Sequence, residues 1–252
     1  RARALRDAGA AGVFTFEGPH DVFAPLTLAS TVGGLDLLTN VAIAFPRNPM
    51  QLAHQAYDHQ VLAQGRFTLG LGTQIRTQIE KRYGASFDKP VARMAELVSA
   101  LRAIFATWET GARLDFRGEF YRHTLMTPTF NPGPNPFGPP PIYVGALGPR
   151  LTRATAEVAD GLLVMPFGSA KFLREATMPV VSSRLLRKVT RTPWSIDPRA
   201  GTSDARLTTS AGAAPAAATG LGAGGANIDG RPLCVFHASH SITSETENTI
   251  RS

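Results

Sequence analysis

The chain carries the stretches Asn40-Val-Ala-Ile-Ala-Phe-Pro-Arg-Asn-Pro49 and Gly65-Arg-Phe-Thr-Leu-Gly-Leu-Gly-Thr73, which frame one strand–helix–strand unit. The apolar run 35–45 predicts a strand, and Pro49 suits the first turn of a helix, where its missing N–H would be unpaired anyway. Apolar residues then recur at helical spacing, at Leu52, Ala53, Ala56, Tyr57 and Val61. Because both strands are apolar on both faces, we expect them to lie parallel in a sheet that helices cover.

The same alternation of strands and helices continues on both sides of this unit. The longest helix is predicted from Pro90 to Trp108, where the apolar residues form one stripe. Residues 113–123 alternate in polarity around a central Arg-Gly pair, which predicts a hairpin. We predict five neighbouring parallel strands, at residues 12–17, 37–45, 67–71, 142–145 and 161–165.

This pattern predicts an α/β fold, either a (β/α)8 TIM-type barrel or an open doubly wound sheet. A closed barrel needs eight strand–helix steps, and five are visible up to residue 183, so we expect an incomplete barrel. The segment 1–10 already reads as a helix that Gly9 ends. Since an α/β domain usually places a strand before such a helix, we expect the first strand of the barrel to be absent.

The last part of the chain differs in composition from the rest. Of the 69 residues from 184 to 252, 34 are Ala, Gly, Ser or Thr. Such residues bury little apolar area, which leaves the entropic cost of ordering the backbone uncompensated. We therefore predict a partial barrel at 1–183 and a low-complexity, disordered tail at 184–252. A reading-frame change and an appended segment would both produce such a tail.

Composition and charge exclude several classes of protein. Hydrophobic residues make up 43% and charged residues 18%, which is typical of a globular chain. No apolar run reaches the length of a membrane span, and a single cysteine without a signal core favours the cytoplasm. The net charge is +7, but no dense basic run is interleaved with aromatic residues, so we expect no nucleic-acid partner. No metal site is expected, because His54 and His59 are wrongly spaced for one helix face and lack an acidic partner.

The framed unit and two further segments resemble the luciferase-like monooxygenase superfamily, in the branch of oxidoreductases that use the deazaflavin coenzyme F420. These segments are the Glu119-Phe-Tyr-Arg-His-Thr124 hairpin and the strand and turn Ile142-Tyr-Val-Gly-Ala-Leu-Gly-Pro-Arg150. The resemblance implies hydride transfer between reduced F420 and a small organic substrate. The alternatives are an FMN-dependent monooxygenase on the same barrel and a catalytically inactive remnant. Relatives often dimerise, so a homodimer is one expected assembly.

The resemblance also implies where the cofactor binds, because barrel enzymes place their sites on loops after the strands. It assigns the cofactor phosphate to Thr73 and to the loop Gly145, Ala146, Leu147 and Gly148. Glycine lets the backbone approach a phosphate, and N–H groups at a helix start can hold it. The alternative is that these glycines only make tight turns.

Members of this family tend to carry a non-proline cis peptide in the third strand. By alignment it would fall between Asn40 and Val41, ahead of Ala42, which would face the cofactor ring. All three residues are therefore candidates for cofactor binding. An ordinary trans strand is the alternative, because cis bonds outside proline are costly.

The resemblance further implies that the loop after the first strand faces the reactive ring. Glu17 and His20 are the catalytic candidates there, and His20 is the better proton donor or acceptor, since histidine exchanges protons near neutral pH. The alternative is that this loop caps a helix. Gln74, Ile75 and Arg76 stand where similar deazaflavin sugar-phosphate dehydrogenases carry a glutamate, so the substrate is left open.

Overall fold

The structure of the chain is a computed structural model that describes residues 1–164, 169–185, 226–228 and 231–233. The strands, in chain order, are β1 (Gly12–Thr15), β2 (Asp36–Thr39), β3 (Ala42–Ile43), β4 (Phe67–Gly72), β5 (Phe116–Arg117), β6 (Arg122–His123), β7 (Ile142–Gly145), β8 (Gly161–Leu163), β9 (Ala226–Ile228) and β10 (Arg231–Leu233). The α-helices are α1 (Ala2–Asp7), α2 (Ala24–Ser30), α3 (Pro49–Leu62), α4 (Pro90–Thr110), α5 (Pro149–Val158), α6 (Ala170–Phe172) and α7 (Met178–Leu185). Shorter helical turns are the π-helical turns Gln78–Arg82 and Leu173–Thr177 and the 3-10 turn Pro128–Phe130.

Six of these strands form one sheet. Five of them follow the order β1-β2-β4-β7-β8, and the sixth, β3, pairs with β4. Every pairing in this sheet is parallel. The prediction of five neighbouring parallel strands is thereby confirmed, although residue 165 of the predicted strand 161–165 lies outside the described residues. The hairpin is confirmed as well, since β5 and β6 pair antiparallel. This is the parallel sheet and alternating helix order of the TIM-type barrel class.

The structure corrects the prediction of one continuous strand over 37–45. In the register, Leu37 pairs with Phe67 of β4 and Ala42 pairs with Leu71. The chain therefore advances five residues on one side while β4 advances four, so one residue is extra and the strand divides into β2 and β3. The strand predicted at 12–17 is also shorter in the structure, because the pairing of β1 with β2 ends at Thr15.

The hydrophobic core lies between the sheet and the helices that cover it. Phe67, Leu69 and Leu71 alternate along β4 and are fully buried against this helical layer. The predicted stripe of α4 is confirmed, since its inward residues are buried: Met94, Leu97, Val98, Leu101, Ile104, Phe105 and Trp108. Packing of this kind holds the strands in register, so the loops at their carboxyl ends start from defined positions.

The predicted tail falls mostly outside the described residues. Its described part consists of the end of α7 and of strands β9 and β10, which pair antiparallel with each other. The predicted boundary at residue 183 and the predicted disorder stay predictions. By its internal contacts the chain divides into two units, Arg1–Thr190 and Arg191–Ser252. Among the described residues, no helix combines the length and the hydropathy needed to cross a bilayer.

Candidate functional site

The predicted site residues lie at one edge of the sheet. Because β1, β3, β4 and β7 are parallel, the loops that follow them meet at their common carboxyl end. Glu17 and His20 follow β1, Thr73 follows β4, and Gly145 is the last residue of β7. The topology thus brings together residues that are far apart in sequence, at the edge where barrel enzymes carry their sites.

The turn between β2 and β3 contains the cis peptide that the resemblance implied, between Asn40 and Val41. The Val41 side chain lies over the neighbouring strands. A Cβ atom on Gly72 would be only 2.4 Å from Val41 Cγ2, and one on Gly145 would be 3.5 Å from Val41 Cγ1. Position 72 therefore has room only for glycine, and Val41 spans the ends of β4 and β7.

Ala42 lies differently from Val41. It is fully buried in the hydrophobic core and pairs with Leu71 of β4. Of the residues predicted around the cis peptide, Asn40 and Val41 retain partial exposure at the strand-end edge. The side-chain surface offered to a ligand here therefore belongs to Asn40 and Val41.

Thr39 and Gly70 hold the strand beneath this turn. Thr39 Oγ1 donates to the Gly70 carbonyl and accepts from the Gly70 N–H, both at 2.8 Å. A Cβ atom on Gly70 would lie 1.9 Å from the Thr39 carbonyl oxygen. The first glycine of Gly70-Leu-Gly72 is thus required by close approach of two strands, a role that the sequence analysis did not assign.

The loop from Gly145 to Gly148 leads into α5 and leaves backbone open to solvent. Gly148 is the N-cap residue of α5, and a Cβ atom there would meet no other atom within 4 Å. Thr152 closes the first turn, with its N–H and its Oγ1 both 3.0 Å from the Gly148 carbonyl. The N–H groups of a first helical turn lack partners within the helix. An open glycine loop at such a turn fits an anion such as a phosphate.

Glu17 is held by three hydrogen-bond donors. Its Oε2 accepts from the Ile43 N–H at 2.8 Å and from Arg47 Nη1 at 2.6 Å, and its Oε1 accepts from the Tyr83 hydroxyl at 2.9 Å. The Glu17 side chain is 10% exposed and that of Arg47 is 17% exposed. Burial, and then the adjoining Glu17 carboxylate, raise the pKa of the Tyr83 phenol above its usual value. The Glu17 carboxylate is therefore bound by three donors from the protein itself.

His20 is exposed on the loop between β1 and α2. Its neighbour Asp21 accepts hydrogen bonds at Oδ1 from the Phe23 and Ala24 N–H groups, at 2.8 and 2.7 Å. This loop therefore does cap α2, which was the alternative weighed from the sequence, and Asp21 supplies the cap. The catalytic roles of Glu17 and His20 stay predictions, as do the phosphate contacts of Thr73, Gly145, Ala146, Leu147 and Gly148.

Arg47 and Tyr83 were missed as parts of this site. Arg47 lies in the Pro-Arg-Asn-Pro turn after β3, so the motif was visible although its partner Glu17 was not. Tyr83 follows the π-helical turn Gln78–Arg82 and carries no sequence signal of its own. Both residues join the site through contacts with residues more than 25 positions away.

Fold and site together define an α/β enzyme scaffold of the TIM-type barrel class, with glycine-lined strand ends and an anion-fitting helix start. The chain belongs to the luciferase-like monooxygenase family, whose model matches residues 1–184. This family contains oxidoreductases and monooxygenases, with both F420-dependent and FMN-dependent members.

Relatives of known sequence share the matched part of the chain. An uncharacterized protein of Mycobacterium tuberculosis is 45% identical over 185 residues, which cover 73% of this chain and 54% of the relative. The F420-dependent glucose-6-phosphate dehydrogenase of Nakamurella multipartita is 32% identical over 117 residues, which cover 46% of this chain and 33% of the enzyme. The chain thus spans about half the length, or less, of these curated relatives.

Among solved structures, the monooxygenase RslO1 from Streptomyces bottropensis has the same fold. Its TM-score is 0.63 at 20% sequence identity, and the match covers 76% of this chain and 60% of that one. At this level of identity the likeness establishes the fold alone.

Proposed function

We propose that the protein is an F420-dependent oxidoreductase that transfers a hydride between reduced F420 and a small organic substrate. The observation that carries the proposal is the open loop Gly145–Gly148, which leads into the first turn of α5 at the carboxyl edge of the sheet. The sequence relationship to an F420-dependent dehydrogenase favours F420 over FMN. Because the chain spans about half of its relatives, the activity of the whole protein is part of the proposal.

The described residues fit such a cofactor at two places. The N–H groups at the start of α5, with the glycine loop and Thr73, would hold the phosphate. Val41, which lies over Gly72 and Gly145, would support the ring. When bound, a deazaflavin supplies a ring atom that takes up or releases a hydride.

The protein's own contribution to the chemistry is position and proton transfer. His20 lies exposed on the loop after β1, at the carboxyl edge of the sheet where we place the substrate. In our proposal His20 exchanges the proton that accompanies hydride transfer. Glu17 is less suited to this role, because three donors already occupy its carboxylate.

The test is a binding titration of the full chain with F420 and, separately, with FMN. We expect saturable F420 binding that Gly145→Asp weakens by roughly tenfold or more, because a carboxylate would repel the phosphate. Ala112→Asp is the matched control, since Ala112 is exposed in the segment after α4, outside the strand-end loops. Binding of FMN alone would support the monooxygenase alternative, and binding of neither cofactor would overturn the proposal.

The proton-transfer role has its own measurement. His20→Ala should lower the turnover of the cofactor-loaded protein more than it weakens cofactor binding, the pattern of a group that acts in the transition state. Equal turnover in variant and parent would remove His20 from the mechanism. Cofactor binding without turnover of any carbonyl or alcohol substrate would favour the inactive alternative. The assembly is a separate proposal: light scattering should show a homodimer.

A further inference from the structure

We propose that Glu17 is a positioning residue, which holds three strand-end loops together and so places Val41 beneath the cofactor. Its link to the cofactor rests on the proposed function, whereas its link to the loops does not. The three donors to the carboxylate come from different parts of the chain: the end of β3, the turn after it, and the segment after β4.

The Glu17 carboxylate joins the loop after β1 to the end of β3. Its Oε2 accepts the Ile43 N–H, and Arg47 Nη1 bridges the same oxygen to the Ile43 carbonyl at 2.6 Å. Both polar groups of the Ile43 backbone are thereby fixed, one directly and one through Arg47. Ile43 is two residues from Val41, so this clamp also limits where the Val41 backbone can lie.

A second connection joins the loop after β1 to the segment after β4. Tyr83 donates to Glu17 Oε1, and Arg82 Nη2 donates to the Gly18 carbonyl at 3.1 Å. Two adjacent residues of this segment therefore contact two adjacent residues of the β1 loop. The Arg82 side chain is exposed, so the partly buried Tyr83–Glu17 bond is the stronger part of the link.

The geometry argues for holding rather than for proton transfer. Two of the three partners, the Ile43 N–H and Arg47, can only donate, so a proton on Oε2 would find no acceptor there. The side chain is also nearly enclosed, at 10% exposure, whereas a proton donor to a substrate must reach it. Glu17 therefore acts on a bound ligand through the backbone of β3 and through Val41.

The first experiment measures hydrogen exchange at the Ile43 amide in the cofactor-free chain. Glu17→Ala should accelerate exchange at Ile43 by at least roughly tenfold, because its acceptor is lost. Glu17→Gln should retain protection, since one amide oxygen can accept from Ile43 while the amide nitrogen donates to the Tyr83 oxygen. Glu119→Gln, on an exposed carboxylate paired with Lys89, is the matched control and should leave exchange at Ile43 unchanged.

The second experiment measures F420 affinity and turnover in the same variants. We expect Glu17→Gln to stay within about threefold of the parent in both, and Glu17→Ala to lose roughly tenfold in affinity. Tyr83→Phe, which removes one of the three bonds, should fall between the parent and Glu17→Ala, and it serves if Glu17→Ala does not fold.

Two results would overturn the inference. One is unchanged exchange at Ile43 in Glu17→Ala or, if the alanine variant does not fold, unchanged exchange at Ile43 in Tyr83→Phe, which removes one of the three bonds to Glu17. The other is abolished turnover in Glu17→Gln with unchanged F420 affinity, which would make Glu17 a proton-transfer group. If no variant and no parent binds F420, the proposed function fails, while the exchange experiment still decides whether Glu17 holds the loops.

Discussion

Glu17 and Glu96 lie in different regions of the molecule, yet each carboxylate accepts three hydrogen bonds. Glu17 receives one backbone N–H, one guanidinium and one phenol at the strand-end edge. Glu96, on α4, receives three backbone N–H groups of the hairpin, from Glu119 at 2.9 Å and from Phe120 and Tyr121 at 2.7 Å. The Glu96 carboxylate thus holds a single hairpin turn, whereas the Glu17 carboxylate joins loops that are distant in sequence.

The two carboxylates differ in how costly it is for their donors to lose the acceptor. The donors to Glu96 are consecutive backbone groups, some of them exposed, which water can satisfy. One donor to Glu17 is the guanidinium group of Arg47, which is charged and nearly buried. An unpaired buried charge costs more than an unpaired amide, so the region around Glu17 depends more strongly on its carboxylate.

The largest effect on stability is expected for Glu17→Ala. This change removes the carboxylate that neutralises Arg47, which keeps its bond to the Ile43 carbonyl, and it leaves the Ile43 N–H without its acceptor. We therefore expect the free energy of unfolding to fall by about 3 kcal/mol. Urea unfolding monitored by tryptophan fluorescence measures it. A loss smaller than that of Glu96→Ala would break the comparison, since it would show that Arg47 finds water or another acceptor.

Glu96→Ala should cost about 2 kcal/mol, because the three hairpin N–H groups lose a charged acceptor but gain access to water. Gly118→Ala should cost a similar amount, because its Cβ atom would overlap the Glu96 carboxylate and force it away from the hairpin. The same urea titration tests both. The matched control for Gly118→Ala is Gly148→Ala, because Gly148 has open space around it and a negative φ. Gly133→Ala would not serve as this control, because Gly133 has a positive φ.

Glutamine substitutions sharpen the comparison at a smaller scale. At position 17 the amide nitrogen can donate to the Tyr83 oxygen, whereas at position 96 every partner is a donor and one N–H must face the amide nitrogen. Glu96→Gln should therefore lose about 1 kcal/mol through this mismatch, beyond the loss from neutralising the carboxylate. If Glu17→Gln proves the more costly of the two, the charge pairing with Arg47 outweighs the hydrogen-bond mismatch.

The smallest effect concerns pH and the hairpin that Glu96 holds. Burial lowers the pKa of His123 on β6, and its Nε2 is buried without a hydrogen-bond partner among the described residues. A lowered pKa means that the neutral form is favoured in the folded state. The stability from this group is present above the ordinary pKa of 6.5 and is lost as pH falls through the lowered value.

Acidification should therefore loosen the hairpin slightly. We expect the melting temperature to fall by less than about 2 °C from this residue, because His123 is partly exposed. His123→Gln, which does not titrate, should remove this share of the pH dependence between pH 7.5 and pH 5. An equal pH dependence in variant and parent would assign the acid sensitivity to other groups.

Most of the fold was predictable because its signal is local. The apolar strands and the stripe of α4 repeat with the periods of their own secondary structure, so five strands and the longest helix could be placed from the sequence. The division of 37–45 into β2 and β3 was not predictable from that pattern. It depends on the register with β4, where one side advances one residue more than the other.

Some residues of the site could likewise be predicted from the sequence, and others could not. The glycines of 145–148 and the loop after β1 were recognisable from motif order, and the parallel sheet brings both to one edge. The partners of Glu17 were not recognisable, because Arg47 and Tyr83 reach it across 30 and 66 positions of sequence. Nor did the pattern distinguish Val41, which is partly exposed, from the buried Ala42.

The sequence by itself determined the alternation of apolar strands and helices, the parallel sheet, the family resemblance and the edge at which a site would form. Each of these follows from periodicity, from glycine and proline placement, or from motif order along the chain. Only the tertiary structure decided that Glu17 is enclosed by three donors, that Asp21 caps α2, and that Gly70 is required by Thr39. The physical reason is that hydrogen bonds and close contacts depend on distances between chain segments, and packing of the whole sheet against its helices sets those distances.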